Sequence, residues 1–153
     1  MTVIKLNIAE QKLAKFLAAQ RHNAARKNNI NNAKMGPQSD EETDLEGIAS
    51  EIAFCKIMNV YPDLQVGVLE YADAFTTKMG AVDVKTTKYK NGRLLARKSK
   101  IGNEPDSYAL MIGEFPVYRF VGWIDAKSLI DKQNLIDLGH GEGYALPQER
   151  LLT

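Results

Sequence analysis

The sequence predicts a single α+β domain, on three observations. Apolar residues recur at helical spacing over the first sixty positions. After Pro62 the pattern switches to alternation, and no repeat or linker divides the chain. At 153 residues the length is that of one ordinary domain with room for a core.

In order, the first helix is expected over residues 8–28. Leu13, Phe16, Leu17 and Ala24 share a helical period there, and Asn7 with Glu10 three positions later has the pattern of a capping box. NNINNAKMGPQS is polar and turn-forming, hence a loop. DEETDLEGIASEIAFCKIMN reads as a second helix, with Thr43 or Asp44 as N-cap and Leu45, Ile48, Ile52 and Ala53 inward. LQVGVLEY and DAF are extended, and TTKMG turns the chain into AVDVKTTKY. Asn91-Gly92 is a two-residue hairpin signal leading into RLLARK. SYALMIGEF and VYRFVGWI follow as strands around Pro116, with Trp123 and the Phe and Tyr residues of 115–120 in the core. Asp125 caps a short helix in DAKSLIDK. GHGEG, which carries His140, lacks the strand-to-helix setting of a nucleotide loop and reads as a flexible connection. YALPQERLL supplies a last strand and a terminal turn. The strands are expected to be mostly antiparallel.

Composition narrows the function classes. The chain is 44% hydrophobic and 25% charged, with no low-complexity tract. No apolar run is long enough for a membrane span, and MTVIKLNIAEQK lacks a secretory hydrophobic region, so a cytoplasmic location is expected. A lone cysteine, Cys55, excludes an internal disulfide and a multi-cysteine zinc site, and is expected to pack as a small hydrophobe. Net charge is only +1, but it is segregated. Residues 1–38 carry seven basic groups and one acid, residues 39–73 nine acids and Lys56, and residues 84–100 seven basic groups and no acid. Two basic blocks flanking an acidic one suit a polyanion track beside a cation-binding centre; solvated faces are the competing reading.

Within GAVDVKTT, Asp83 and Lys85 project from one face of a strand while Val82 and Val84 point to the other. Metal-dependent phosphodiester hydrolysis needs hard oxygen ligands for Mg²⁺, an activated water, and a cationic group to orient that water or offset phosphate charge. Asp-x-Lys supplies part of this set. Asp73, on the other arm of the TTKMG turn, would fold back towards Asp83. Glu51 stands at the edge of the apolar stripe of the second helix, and Glu46 falls on a different side. Gly47 is one turn before Glu51; a glycine there costs about 1 kcal/mol, which suggests that something approaches that surface closely.

GIASEIAF, then YADAF, then VDVKTT: this order of helix Glu, strand Asp and Asp-x-Lys resembles the PD-(D/E)XK nuclease superfamily, in particular the small nuclease-like domains of phages. The resemblance spans roughly residues 44–124, and YALPQERL fits the usual close. It implies a restriction-endonuclease-like mixed central sheet flanked by helices, with an N-terminal helix and loop over residues 1–40 and a nuclease core over residues 41–153. It further implies Mg²⁺- or Mn²⁺-dependent cleavage of DNA in the host cytoplasm. Metal ligands then map to Asp73 and Asp83 with Glu51, and the catalytic lysine to Lys85. The literal Pro-Asp pair, Pro62-Asp63, has the chemistry of an ordinary turn. Asp73 follows an alanine instead, which leaves Glu70 as its substitute.

Lys88, Lys90, Arg93, Arg97, Lys98 and Lys100 continue from the same strand and are expected to hold phosphates. Thr87, on the Lys85 face, could touch substrate or pair across strands. Arg21, Arg26, Lys27 and Lys34 form either a second clamp or a solvated helix face. DNA is the partner expected, a membrane is not, and a homodimer is compatible. The alternative function is a DNA-binding or assembly module that keeps the fold without cutting; an RNA-directed enzyme is a third reading.

Overall fold

The computed structural model describes residues 2–27, 39–66, 72–98 and 102–153. It opens with a strand that the sequence pattern did not reveal, β1 (Val3–Lys5), followed by α1 (Ile8–Lys27). The capping box forms as expected: the Asn7 N–H donates to Glu10 Oε1 at 2.7 Å and the Glu10 N–H to Asn7 Oδ1 at 2.8 Å. Ala14, Leu17 and Ala18 make the buried stripe of α1. Phe16 is a correction, since it is 61% exposed. It stands two residues from Ala14, about 200° round the helix, so small residues rather than the aromatic ring face the neighbouring helix.

That neighbour is α2 (Asp40–Met58). Its N-cap is Ser39, not Thr43 or Asp44; Ser39 Oγ accepts from the Glu42 N–H at 3.2 Å. Asp40, Glu41 and Glu42 therefore lie in the first turn, where the helix dipole favours negative charge. Ile48, Ala49, Ile52, Ala53, Phe54 and Cys55 are all buried, because α2 is packed against both α1 and the sheet. Polar contacts tie the helices together: Lys56 pairs with Glu10 at 2.9 Å and Arg21 with Glu51 at 3.3 Å, while His22 lies 2.9 Å from Asp44 and 3.4 Å from Glu41. Glu46 points elsewhere, accepting from the Phe115 N–H at 2.8 Å and the Tyr118 hydroxyl at 2.9 Å.

The remaining strands are β2 (Ala74–Thr76), β3 (Gly80–Thr87), β4 (Leu94–Arg97), β5 (Ser107–Glu114), β6 (Val117–Asp125), β7 (Leu135–Asp137) and β8 (Glu142–Leu146). Five form a mixed sheet in the order β1-β6-β5-β3-β2, in which only β3 and β5 are parallel. The other three form a second sheet, β4-β8-β7. A short helix, α3 (Ala126–Leu129), is capped by Asp125 as predicted, through the Ser128 N–H at 3.1 Å. Strand periodicity divides the interior in two. Val82, Val84, Ala109 and Met111 pack with α1 and α2, whereas Tyr108, Leu110 and Ile112 pack with Leu94, Ala96, Tyr144 and Leu146 of the second sheet. The chain is thus an α+β protein with α1 and α2 on one face of its main sheet and a small sheet with α3 on the other.

One sequence expectation about a turn fails. Asn91-Gly92 does not close a hairpin, because β3 pairs with β5 and β4 with β8. A two-residue hairpin of that type needs positive φ at both central residues, and among the described residues neither Asn91 nor Gly92 has it. The turn instead runs from the Tyr89 carbonyl to the Gly92 N–H at 2.9 Å, and Gln148 Nε2 donates to the carbonyls of Lys90 and Gly92 at 2.9 and 2.8 Å. GHGEG does connect two elements: residues 139–141 turn the chain between the paired strands β7 and β8, with Gly139 at φ +88° and Gly141 at φ +114°, and Glu142 and Gly143 open β8. Of LQVGVLEY, residues 64–66 form no strand, and residues 67–71 lie outside the described residues.

Glu46→Ala should lower the unfolding free energy by about 2–4 kcal/mol, since it strands the buried Tyr118 hydroxyl and a backbone N–H. Urea unfolding checks this; a change below about 1 kcal/mol would mean that water replaces the carboxylate.

Candidate active site

Asp83 and Lys85 lie beside Tyr108 and Leu110 in the β3–β5 register, on the sheet face that turns away from the helices. Glu51 comes from α2, on the opposite face. They are brought into reach of one another at the end of β2. That strand pairs with β3 through Ala74, Phe75 and Thr76 only. One residue before it, Asp73 donates its N–H to the Val82 carbonyl at 2.8 Å, and its Oδ2 accepts the Val84 N–H at 2.8 Å. The carboxyl of Asp73 therefore lies at the sheet edge, between the two faces.

The charges around it are crowded. Asp73 stands beside Asp83 where β2 meets β3, near enough for the charge of Asp83 to act on it, and Lys85 Nζ is 3.0 Å from Asp83 Oδ1. Burial, then the charge of Asp83, raises the Asp73 pKa to about 6, although the Val84 N–H and Lys85 act in the other direction. Burial, followed by the charge of Asp73, pushes Glu51 well above the usual carboxylate range, and Arg21 partly offsets this. One turn on, burial and the nearby charge of Glu51 and Asp73 raise the Cys55 thiol to about 12, so it is a neutral core group, as expected.

Arg21 is the participant that the sequence pattern did not place beside the acids. Its guanidinium reaches Glu51 at 3.3 Å and donates to the carbonyls of Gln65 and Asp63, each at 3.0 Å. A signal for it existed: Arg21 follows Ala14, Leu17 and Ala18 at seven, four and three residues, which places it on the buried stripe.

A divalent cation fits the chemistry of this donor set with one reservation of geometry. Among the described residues no three His, Cys, Asp or Glu side chains form a ready-made cage. Two neighbouring carboxyls, one of them raised by burial and by the charge of the other, are nevertheless a hard-oxygen pair short of positive charge. Mg²⁺ is commonly held by one or two carboxylates, with waters and substrate phosphate completing the shell. Asp73 and Asp83 can supply that pair, and Glu51 stands by, held towards Arg21.

The predicted phosphate-binding residues scatter more than a hairpin would allow. Lys88, Lys90 and Arg93 are exposed on and around the turn after β3. Arg97 ends β4 in the second sheet, and the exposed Lys98 is 3.5 Å from Glu142. Lys100, Lys34 and the substitute acid Glu70 lie outside the described residues, and the Arg26 and Lys27 side chains are likewise not described. Thr87 serves the turn, its Oγ1 accepting from the Tyr89 N–H at 3.2 Å. At Gly47 no described atom lies within 4 Å of where a Cβ would stand, so packing within the described chain does not require a glycine. No helix among the described residues is long and apolar enough to cross a membrane. Comparison with models of known protein families, with curated proteins and with solved structures finds no match.

The raised acids make a stability prediction. A carboxyl whose folded pKa exceeds its unfolded value stabilises the fold at low pH and loses that contribution as pH rises. The metal-free protein should lose on the order of 2–3 kcal/mol between about pH 4 and pH 6.5 from Asp73 alone. Asp73→Asn should flatten this decline, with the remainder due to Glu51. Chemical denaturation at a series of pH values reads it, and an unchanged slope in the variant would show that Asp73 is not the group responsible.

Proposed function

We propose that the chain is a Mg²⁺- or Mn²⁺-dependent deoxyribonuclease of PD-(D/E)XK type. The observation that carries this reading is the placing of Asp73 beside Asp83 at the β2–β3 pairing, its Oδ2 held by the Val84 N–H at 2.8 Å, with Lys85 Nζ 3.0 Å from Asp83 and Glu51 near enough to be repelled by both acids. Glu51 comes from α2, Asp73 from the position just before β2, and Asp83 and Lys85 from β3, in the chain order Glu, Asp, Asp-x-Lys.

A divalent ion at such a site lowers the pKa of a water and offsets charge on the phosphate. Asp73 and Asp83 hold the ion, and Glu51 contributes directly or through water. Lys85, on the same face as Asp83, orients the attacking water or donates to a phosphate oxygen. Val84 keeps Asp73 turned to the strand edge through its N–H. Lys88, Lys90 and Arg93 bind neighbouring phosphates without regard to sequence. A second reading, a DNA-binding module that does not cut, draws on the absence of a three-acid cage among the described residues.

Cleavage tests separate the two. Wild-type protein should cut DNA with Mg²⁺ or Mn²⁺ on a panel of linear, branched and single-stranded substrates. Asp83→Ala should abolish cutting and weaken divalent-ion binding. Lys85→Ala should lower the rate by about 10²–10³ while metal still binds. DNA binding in Ca²⁺ should survive the lysine change. Binding with no cleavage on any substrate would establish the non-cutting module.

The Lys90, Arg93, Arg97 to Ala variant should bind DNA more weakly, with the log–log salt slope reduced by about one for each phosphate no longer neutralised. Titrations between low and moderate salt measure it; wild-type affinity and slope would remove these residues from the interface.

A further inference from the structure

Beside the acids runs a cleft of about 560 Å³, with Tyr61, Pro62, Asp63, Gln65, Asp73 and Phe75 among its lining residues. Tyr61 is 82% exposed and Phe75 58%, in a chain that buries Phe54, Tyr108 and Tyr118 almost completely. We infer that this cleft is a subsite for an unpaired nucleobase of a DNA strand whose phosphate lies at the Asp73–Asp83 pair. The inference rests on the nuclease reading and gives it a substrate class: DNA with a single-stranded region.

The chemistry of the walls points to a base. Exposed aromatic rings offer stacking surfaces, and stacking requires an open π-face that a base inside a duplex does not present. Gln65 brings an amide with donors and an acceptor, and Asp63 a carboxylate, groups suited to the polar edge of a base. The volume is that of a small-ligand site.

Both walls are also fixed relative to the acids. Arg21 holds the Asp63 and Gln65 carbonyls with the same guanidinium that meets Glu51, and Asp63 Oδ1 accepts the Gln65 N–H at 2.9 Å. On the other side Phe75 belongs to β2, two residues after Asp73 and paired with Ala81 of β3. A base held between these walls would lie next to the carboxyl that reaches the strand edge.

Fluorescein-labelled DNA in Ca²⁺ tests this, with three ligands: a single strand, an abasic strand with the same number of phosphates, and a blunt duplex. The wild-type protein should prefer the natural strand to the abasic one by roughly 5- to 150-fold, the range for one stacked base. Tyr61→Ala and Phe75→Ala should each shrink that preference, while Tyr61→Phe should keep it. Thermal melting of the variants should match wild type, since both rings are largely exposed. Equal affinity for natural and abasic strands, or Ala variants that retain the preference, would overturn the subsite. Mg²⁺-dependent cleavage run in parallel keeps the two ideas apart. Cutting without base-dependent binding removes the subsite and leaves the nuclease, whereas base-dependent binding without cutting removes the nuclease and leaves the subsite. No binding to any of the three ligands overturns the subsite outright.

Discussion

The carboxyl of Asp73 accepts the Val84 N–H at the point where β2 has stopped supplying partners to β3. A side chain thus does what a backbone carbonyl does elsewhere in the ladder, and the arrangement of the site follows from that exchange. Had β2 continued, a strand neighbour would stand where Asp73 places its acid. Because the strand ends there, one acid reaches the edge between the two sheet faces, where Asp83 and Lys85 from one side and Glu51 from the other can influence it. Asp106 performs a related service at the start of β3, its Oδ2 accepting the Ala81 N–H at 2.9 Å. The first half of β3 is therefore held by two aspartates as well as by its neighbouring strands.

Assembling acids in this way has an energetic cost that the rest of the fold absorbs. Two neighbouring carboxyls repel when both are ionised, and burial removes the water that would screen them. Arg21 and Lys85 stand on either side of the cluster and offset part of the charge, through Glu51 and Asp83 respectively. The compensation is incomplete, so burial and then the neighbouring negative charge raise the pKa of both Asp73 and Glu51. A proton or a cation completes the balance. Glu46, on the same helix, is satisfied by two donors, the Phe115 N–H and the Tyr118 hydroxyl.

Much of this was legible in the chain, in proportion to how local each cause is. The capping box of α1, the Asp125 cap, the turn before β3 and the shared face of Asp83 and Lys85 depend on residues within a few positions of one another. The proximity of Asp73 to Asp83 was readable too, because the two sit on arms of one short turn. What escaped depends on distant partners. β1 is three residues long with Val3 exposed, so no alternation marks it, and its pairing is with β6 more than a hundred positions away. Asn91-Gly92 carried a strong local hairpin signal, but β5 and β8 took the strands on either side. Arg21 lay on the buried stripe of α1, yet its acceptors, Asp63 and Gln65, are 42 and 44 residues on.

The turn after β3 has a further consequence. Its backbone is held from outside by Gln148, whose amide grips two of its carbonyls, while Arg119 reaches the Lys90 carbonyl at 3.3 Å. Lys88, Lys90 and Arg93 thus extend from a backbone that is already ordered. An anion arriving there would have side-chain rotamers but no backbone to order, so the loop-ordering part of the cost of association has been met during folding. The segment near the C-terminus, remote in sequence from every acid of the site, thereby sets how firmly the backbone under these cationic side chains is held.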